Sequence, residues 1–148
     1  QRGGSVVTYV KYGDKVYSPV VEKGEADLIV SFEQLEAARS LPYLKKGGTI
    51  ITSTQKLDPM PVITGTTTYP EDIFNQFRNA GVDFVSVNAL ELAEQAGSAK
   101  ASNVVLMGVV STKMSIEKEV WLKALEECVP AKFLELNKKA FELGRECY

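Results

Sequence analysis

Residues 26–54 read ADLIVSFEQLEAARSLPYLKKGGTIITST. The run opens on a continuous apolar stretch, residues 26–32, of the kind a strand shows when both its faces are covered. Helix formers follow in EQLEAARSL. Pro42 breaks or kinks that helix. YLKK then ends on Gly47 and Gly48, which read as a C-terminal cap. TIITST, residues 49–54, is a second strand of the buried type. Strand, helix and strand in succession make a βαβ unit, which predicts parallel pairing through a crossover connection.

The same alternation continues on the C-terminal side. QKLDPMPVITGTT reads as a surface excursion with a short strand at Val62-Ile63. TYPE then starts a helix, with Thr68 as N-cap, Pro70 in the first turn and Glu71 closing a capping box. That helix carries Ile73, Phe74 and Phe77 on one face and stops at Gly81. VDFVSV is another strand, and NALELAEQA another helix, stopped by Gly97. SNVVLMGVV is apolar on all sides. It reads as a buried helix capped by Ser102 or Asn103, its glycine suited to close helix packing. SIEKEVWLKALEEC repeats Ile116, Val120, Trp121, Ala124, Leu125 and Cys128 at helical spacing. Val129-Pro130 is a joint, and the last helix, AKFLELNKKAFELG, closes on Gly144.

On the N-terminal side, SVVTYVKY and KVYSPVV flank Gly13-Asp14 and predict a hairpin. Pro19 assigns the second run to an edge. The whole reads as a three-layer α/β domain of Rossmann-like type. It has a mainly parallel sheet, an antiparallel edge hairpin and C-terminal helices.

Composition narrows the function. The chain has 148 residues, 45% of them hydrophobic, enough for one domain with a substantial core. Seventeen Lys and Arg face nineteen Asp and Glu, for a net charge of −2. Duplex nucleic-acid binding calls for a basic excess instead. With no His, Ser-His-Asp catalysis and His-ligated metal sites are excluded. Cys128 and Cys147 are too few for a thiolate-held zinc or iron–sulfur site. The longest apolar run falls short of the roughly 20 residues of a membrane span. A cytoplasmic protein is the expectation.

Neither common glycine-rich phosphate motif occurs. Carboxylate pairs such as Glu117/Glu119 and Glu126/Glu127 sit on exposed helix faces and read as solvation. Two asparagines carry more information. Asn88 closes a strand and opens a helix. It is an N-cap with Glu91, or a ligand contact at the carboxyl edge of the sheet. Asn137 lies among Phe133, Leu134, Ala140 and Phe141 at helical spacing. Its carboxamide bonds a backbone carbonyl, or it meets a ligand or partner. Gln1, Arg2, Gly3 and Gly4 set one basic side chain among glycines before a strand. This is a phosphate contact, or a turn.

Taken in order, QRGGSVVTYVKYG (1–13), residues 26–54, VDFVSVNALELAEQAG (82–97), SNVVLMGVVS (102–111) and FLELNKKAFELG (133–144) resemble the gamma domain of the 2-oxoacid:ferredoxin oxidoreductases. Within that family the chain looks most like the free-standing gamma-type subunit of the indolepyruvate enzymes. The resemblance covers nearly the whole chain. It implies a single gamma-type domain over residues 1–148, without the strand, Gly-rich turn and helix that precede QRGG in the family. It also implies a reaction: oxidative decarboxylation of a 2-oxoacid, of the indolepyruvate or aryl-pyruvate type, with coenzyme A, giving an acyl-coenzyme A, carbon dioxide and reduced ferredoxin. By the same resemblance, thiamine diphosphate and iron–sulfur clusters belong to a catalytic partner subunit, with ferredoxin an indirect partner. This chain is left to help bind coenzyme A through Gln1, Arg2, Gly3, Gly4, Asn88 and Asn137, and to pack on that partner. The alternatives are a pyruvate or 2-oxoglutarate enzyme's gamma subunit, and a free-standing Rossmann-like nucleotide-binding protein.

Overall fold

The computed structural model describes residues 6–148. Three strands, β1 (Ala26–Ser31), β2 (Leu44–Ser53) and β3 (Asp83–Val87), form one sheet in that order, and both pairings are parallel. Ile29 pairs with Ile50 and Val30 with Ile51; across the other side, Ile51 pairs with Val85. The connection from β1 to β2 is α1 (Gln34–Ser40) and a 3-10 turn, Leu41–Tyr43, that takes up Pro42. Between β2 and β3 come α2 (Met60–Ile63) and α3 (Ile73–Asn79). Four helices follow β3: α4 (Ala89–Ala96), α5 (Ser102–Lys113), α6 (Lys118–Cys128) and α7 (Leu134–Glu146).

Successive residues of a strand point to opposite faces. Ile50 and Ile51, neighbours on β2, are both fully buried, and each belongs to a different core. Ile50 packs with Leu35 and Ala37 of α1 and with Ile73 and Phe77 of α3. On that face Phe84 stacks on Phe74 and meets Phe77 edge-on, each at 5.5 Å between ring centres. Ile51 packs with Val85 and Val87 against α4, α5 and α7. The sheet is therefore the middle of three layers. An apolar side chain buried in this way contributes about 1.5–3 kcal/mol.

The all-round apolar stretch is the helix α5, with Val105, Leu106 and Val109 fully buried. It crosses α7 where Gly108 meets Gly144, and Gly144 lies inside α7, not at its end. Neither Ser102 nor Asn103 caps α5. Ser98 does the capping, accepting from Lys100 N at 3.3 Å in a 3-10 turn, Ala99–Ala101, that runs into α5. The stripe on α6 is less covered than its spacing suggests: α6 has no fully buried residue, and Trp121, Leu122 and Leu125 lean on the core from outside.

Four further expectations are corrected. Among the described residues, 6–21 contain no strand, so the edge hairpin is not formed. A two-stranded hairpin is marginal without a sheet to join, and Val6, Val10, Tyr12 and Tyr17 stay exposed. This arm is tethered by Lys11 to Glu25 at 3.1 Å and by Tyr9 against Tyr43. Lys45-Lys46-Gly47-Gly48 is strand, not helix cap: β2 begins at Leu44, and the β1–β2 register shifts there. A Cβ on Gly48 would stand 2.9 Å from the Asp27 carbonyl oxygen, so the bulge needs a glycine to let the strands approach. Val62 and Ile63 end a one-turn helix, with Pro59 and Pro61 at its start, where a missing N–H costs nothing. The TYPE box is unused: α3 starts at Ile73 after Asp72, whose left-handed φ is 57°, because Tyr69 is drawn elsewhere.

Candidate functional site

Ligands of open parallel sheets approach the carboxyl ends of the strands. Here that edge is built by the residues that follow Ser31, Ser53 and Val87. The β2 and β3 ends are joined by a bond from Thr54 N–H to the Val87 carbonyl, 2.9 Å. Asn88 comes next and caps α4. Its Oδ1 accepts from Glu91 N–H at 3.3 Å and its Nδ2 donates to Glu91 Oε2 at 2.8 Å. The capping reading is thus realised, and it uses one of the two amide hydrogens.

Asn137 is half-buried on α7, and its Nδ2 donates to the Phe133 carbonyl one turn back at 2.9 Å. The two asparagines do not converge. Lys139 Nζ donates to the Gln95 carbonyl at 2.8 Å, which sets the first turns of α7 beside the C-terminal end of α4. Asn88 is at the other end of that eight-residue helix, whose length is about 12 Å. Gln1, Arg2, Gly3 and Gly4 lie outside the described residues.

The most heavily bonded group at this edge is one that spacing did not single out. Glu33, 5% exposed, follows β1 and caps α1. Its Oε2 accepts from Glu36 N–H at 2.9 Å, and its Oε1 accepts from Leu57 N–H at 3.4 Å and from the Tyr69 hydroxyl. Beneath it, Ser31 Oγ donates to the Glu33 carbonyl at 2.7 Å. One carboxylate therefore ties α1 to both ends of the excursion between β2 and α3. Gln34 adds a bond from Nε2 to the Thr54 carbonyl at 3.2 Å. Glu is an unusual N-cap, and its partners lie 24 and 36 residues away. Ser31-x-Glu33 at a strand end was the only local signal.

Burial pushes the Tyr69 hydroxyl pKa upward, and the bond to Glu33 adds to the shift. The neutral phenol is thus favoured in the folded state. Below pH about 10 an unfolded tyrosine is protonated too, and the stabilisation is whole; as pH rises further, ionisation favours the unfolded chain and the stabilisation is lost. Tyr69→Phe is expected to cost about 1.5 kcal/mol at neutral pH. The gap to wild type should close as pH climbs past about 10. Denaturant titrations of both proteins across that range check this; a gap that stays constant with pH refutes the assignment.

Among the described residues no group of three or more His, Cys, Asp or Glu is placed to hold a metal ion, and Cys128 and Cys147 are free thiols.

The family described as pyruvate ferredoxin/flavodoxin oxidoreductase matches residues 1–147. An indolepyruvate oxidoreductase subunit, IorB, of Thermococcus kodakarensis is 39% identical over 97% of this chain and 74% of its own length. The IorB of Pyrococcus horikoshii is 38% identical with the same coverage. This chain therefore spans about three quarters of the length of these relatives. The crystal structure of a keto/oxoacid ferredoxin oxidoreductase gamma subunit from Geobacter sulfurreducens superposes with a TM-score of 0.60. It is 24% identical and is matched over 83% of this chain and 64% of its own, a likeness of fold. With nearly the whole sequence matched and relatives near 39% identity, the chain belongs to the pyruvate ferredoxin/flavodoxin oxidoreductase family, as a subunit of an oxidoreductase.

Proposed function

We propose that this chain is the gamma-type, non-catalytic subunit of an indolepyruvate-type 2-oxoacid:ferredoxin oxidoreductase. In the cytoplasm it packs on the catalytic subunit and contributes to coenzyme A binding. The observation that carries the reading is the 38–39% identity, over 97% of this chain, to three indolepyruvate oxidoreductase subunits. The donor set supports the division of labour. Two free cysteines and no histidine do not fit an iron–sulfur cluster, so electron transfer falls to the partner, and we assign the thiamine chemistry to it as well.

Coenzyme A supplies the thiol that receives the acyl group. This chain's own contribution is to hold the cofactor. Asn88 has its second amide hydrogen at the carboxyl edge of β3 and Asn137 has its Oδ1; with them we assign Gln1, Arg2, Gly3 and Gly4, Arg2 as the phosphate partner by its charge. Because Asn88 and Asn137 stand about one helix length apart, they serve different parts of a long ligand.

Co-purification with the catalytic subunit and assay on a 2-oxoacid panel test the reading. The complex should reduce ferredoxin with indolepyruvate, and this subunit alone should turn over nothing. Turnover by the isolated subunit, or a complex active on pyruvate and not on aryl-pyruvates, refutes it. In the complex, Asn88→Ser is expected to raise the coenzyme A KM about tenfold, the effect of one lost hydrogen bond, while serine still caps α4. Asn137→Ala should raise KM by a similar factor. An unchanged KM in well-folded variants leaves both asparagines with structural roles only.

A further inference from the structure

We propose that the cleft built by Gln34, Lys56, Asn75 and Arg78 binds a phosphate group. It opens past the carboxyl ends of β1 and β2, where Gln34 and Lys56 stand, and extends along α3 to Arg78. Its volume is about 370 Å³, within the range of a small-ligand site.

Its two cations are held in place without being neutralised. Lys56 Nζ lies 5.4 Å from the centre of the Tyr69 ring, and the Arg78 guanidinium 5.5 Å from that of Phe84. An aromatic face attracts a cation through its quadrupole and brings no opposing formal charge. Among the described residues neither cation has a carboxylate oxygen within 4.0 Å. Hydrogen-bond capacity is also left over. Arg78 Nη1 donates to Asn75 Oδ1 at 2.6 Å, one of five guanidinium N–H groups. Gln34 is buried and gives one amide hydrogen to Thr54, and Asn75 Nδ2 faces Asp72 Oδ1 at 3.5 Å. Each amide keeps a second hydrogen.

Asp72 is the one carboxylate lining the cleft. Among the lining residues two positive charges face one negative; Glu33, behind the Tyr69 ring, has its carboxylate taken up by three hydrogen-bond donors. A phosphate monoester, with about −1.5 to −2 charge and three acceptor oxygens, has the charge and the acceptors to match two cations. A carboxylate brings a single charge and two oxygens, and so matches two cations less well. The cleft lies on the α1/α3 face, whereas Asn88 opens α4 on the other, so this inference does not rest on the coenzyme A contacts proposed above. Two sources carry the group: the 3′-phosphate of coenzyme A, and a free phosphorylated metabolite.

The test is calorimetric titration of the assembled oxidoreductase with adenosine 3′,5′-bisphosphate and with inorganic phosphate. Saturable binding of at least one is expected, weakened about tenfold or more in Lys56→Gln/Arg78→Gln. Asp72→Asn should tighten it severalfold, and asparagine accepts the left-handed backbone at that position. A gain in affinity cannot arise from unfolding, so this variant guards against a misfolded double mutant. Binding of the bisphosphate in preference to phosphate identifies coenzyme A as the source; the reverse identifies a free metabolite. No saturable binding in wild type, or affinities unchanged in both variants, overturns the proposal.

Discussion

Gly144→Ala is expected to lower the melting temperature of this protein by about 6–12 °C, the equivalent of ~3 kcal/mol in a chain of this size. A Cβ on Gly144 would stand 2.0 Å from the Val105 carbonyl oxygen and 2.8 Å from its carbon. These are backbone atoms inside α5 and cannot rotate away. The mirror contact is as tight: a Cβ on Gly108 would meet the Phe141 carbonyl oxygen at 2.2 Å. Either methyl group forces α5 and α7 apart along a crossing that buries Val105, Leu106, Val109, Ala140 and Phe141 to 1% exposure or less. Gly108→Ala should therefore melt as early as Gly144→Ala. The double variant should lose less than the two effects added, because both methyls open the same gap. A melt within about 2 °C of wild type, less than ~1 kcal/mol, would show that the helices adjust without cost.

Glu33→Ala is the second large effect, at about 3 kcal/mol. It strands the Glu36 and Leu57 N–H groups and the Tyr69 hydroxyl, all bonded to one buried carboxylate, and hydrogen bonds to charged groups are worth about 1.5–3 kcal/mol each. The loss has a location as well as a size. Leu57 and Tyr69 bracket the excursion from Thr54 to Asp72, so releasing them should open that segment first. Limited proteolysis should cut the variant between residues 54 and 72 under conditions that leave wild type intact. Glu33→Gln keeps an acceptor for some of these donors and should fall between the two. Global destabilisation with no new cleavage in 54–72 would show that Glu33 serves the core alone.

The order of strands and helices was legible in residues 26–54 and 82–113, because their signals are local. An apolar run between glycines reads as a covered strand, and Asn88 with Glu91 reads as a capping box whatever lies nearby. The structure kept both, and with them the three-layer α/β class. What lay beyond reach depended on contacts distant in the chain. Gly47 and Gly48 resemble a helix cap, and only the approach of Ala26 and Asp27 makes them part of a strand. Gly144 resembles a helix end until α5 is laid across it. Residues 6–21 have strand-forming side chains, yet a strand needs a ladder partner, and propensity does not supply one.

The candidate site divides in the same way. The place of Asn88 at the carboxyl edge is legible by position, since a polar residue after a buried strand falls at that edge of any parallel sheet. Glu33 and the Lys56–Arg78 cleft have no such mark. Glu33 becomes a clasp only because Leu57 and Tyr69 return to it, and Lys56 and Arg78 come to line one cleft only because α3 folds beside α1. Local hydrogen-bonding and hydrophobic patterns set which elements form, since each is satisfied within a few residues. Burial, register and the convergence of charges are set by the packing of elements far apart in the chain, and they exist only once the three layers have closed.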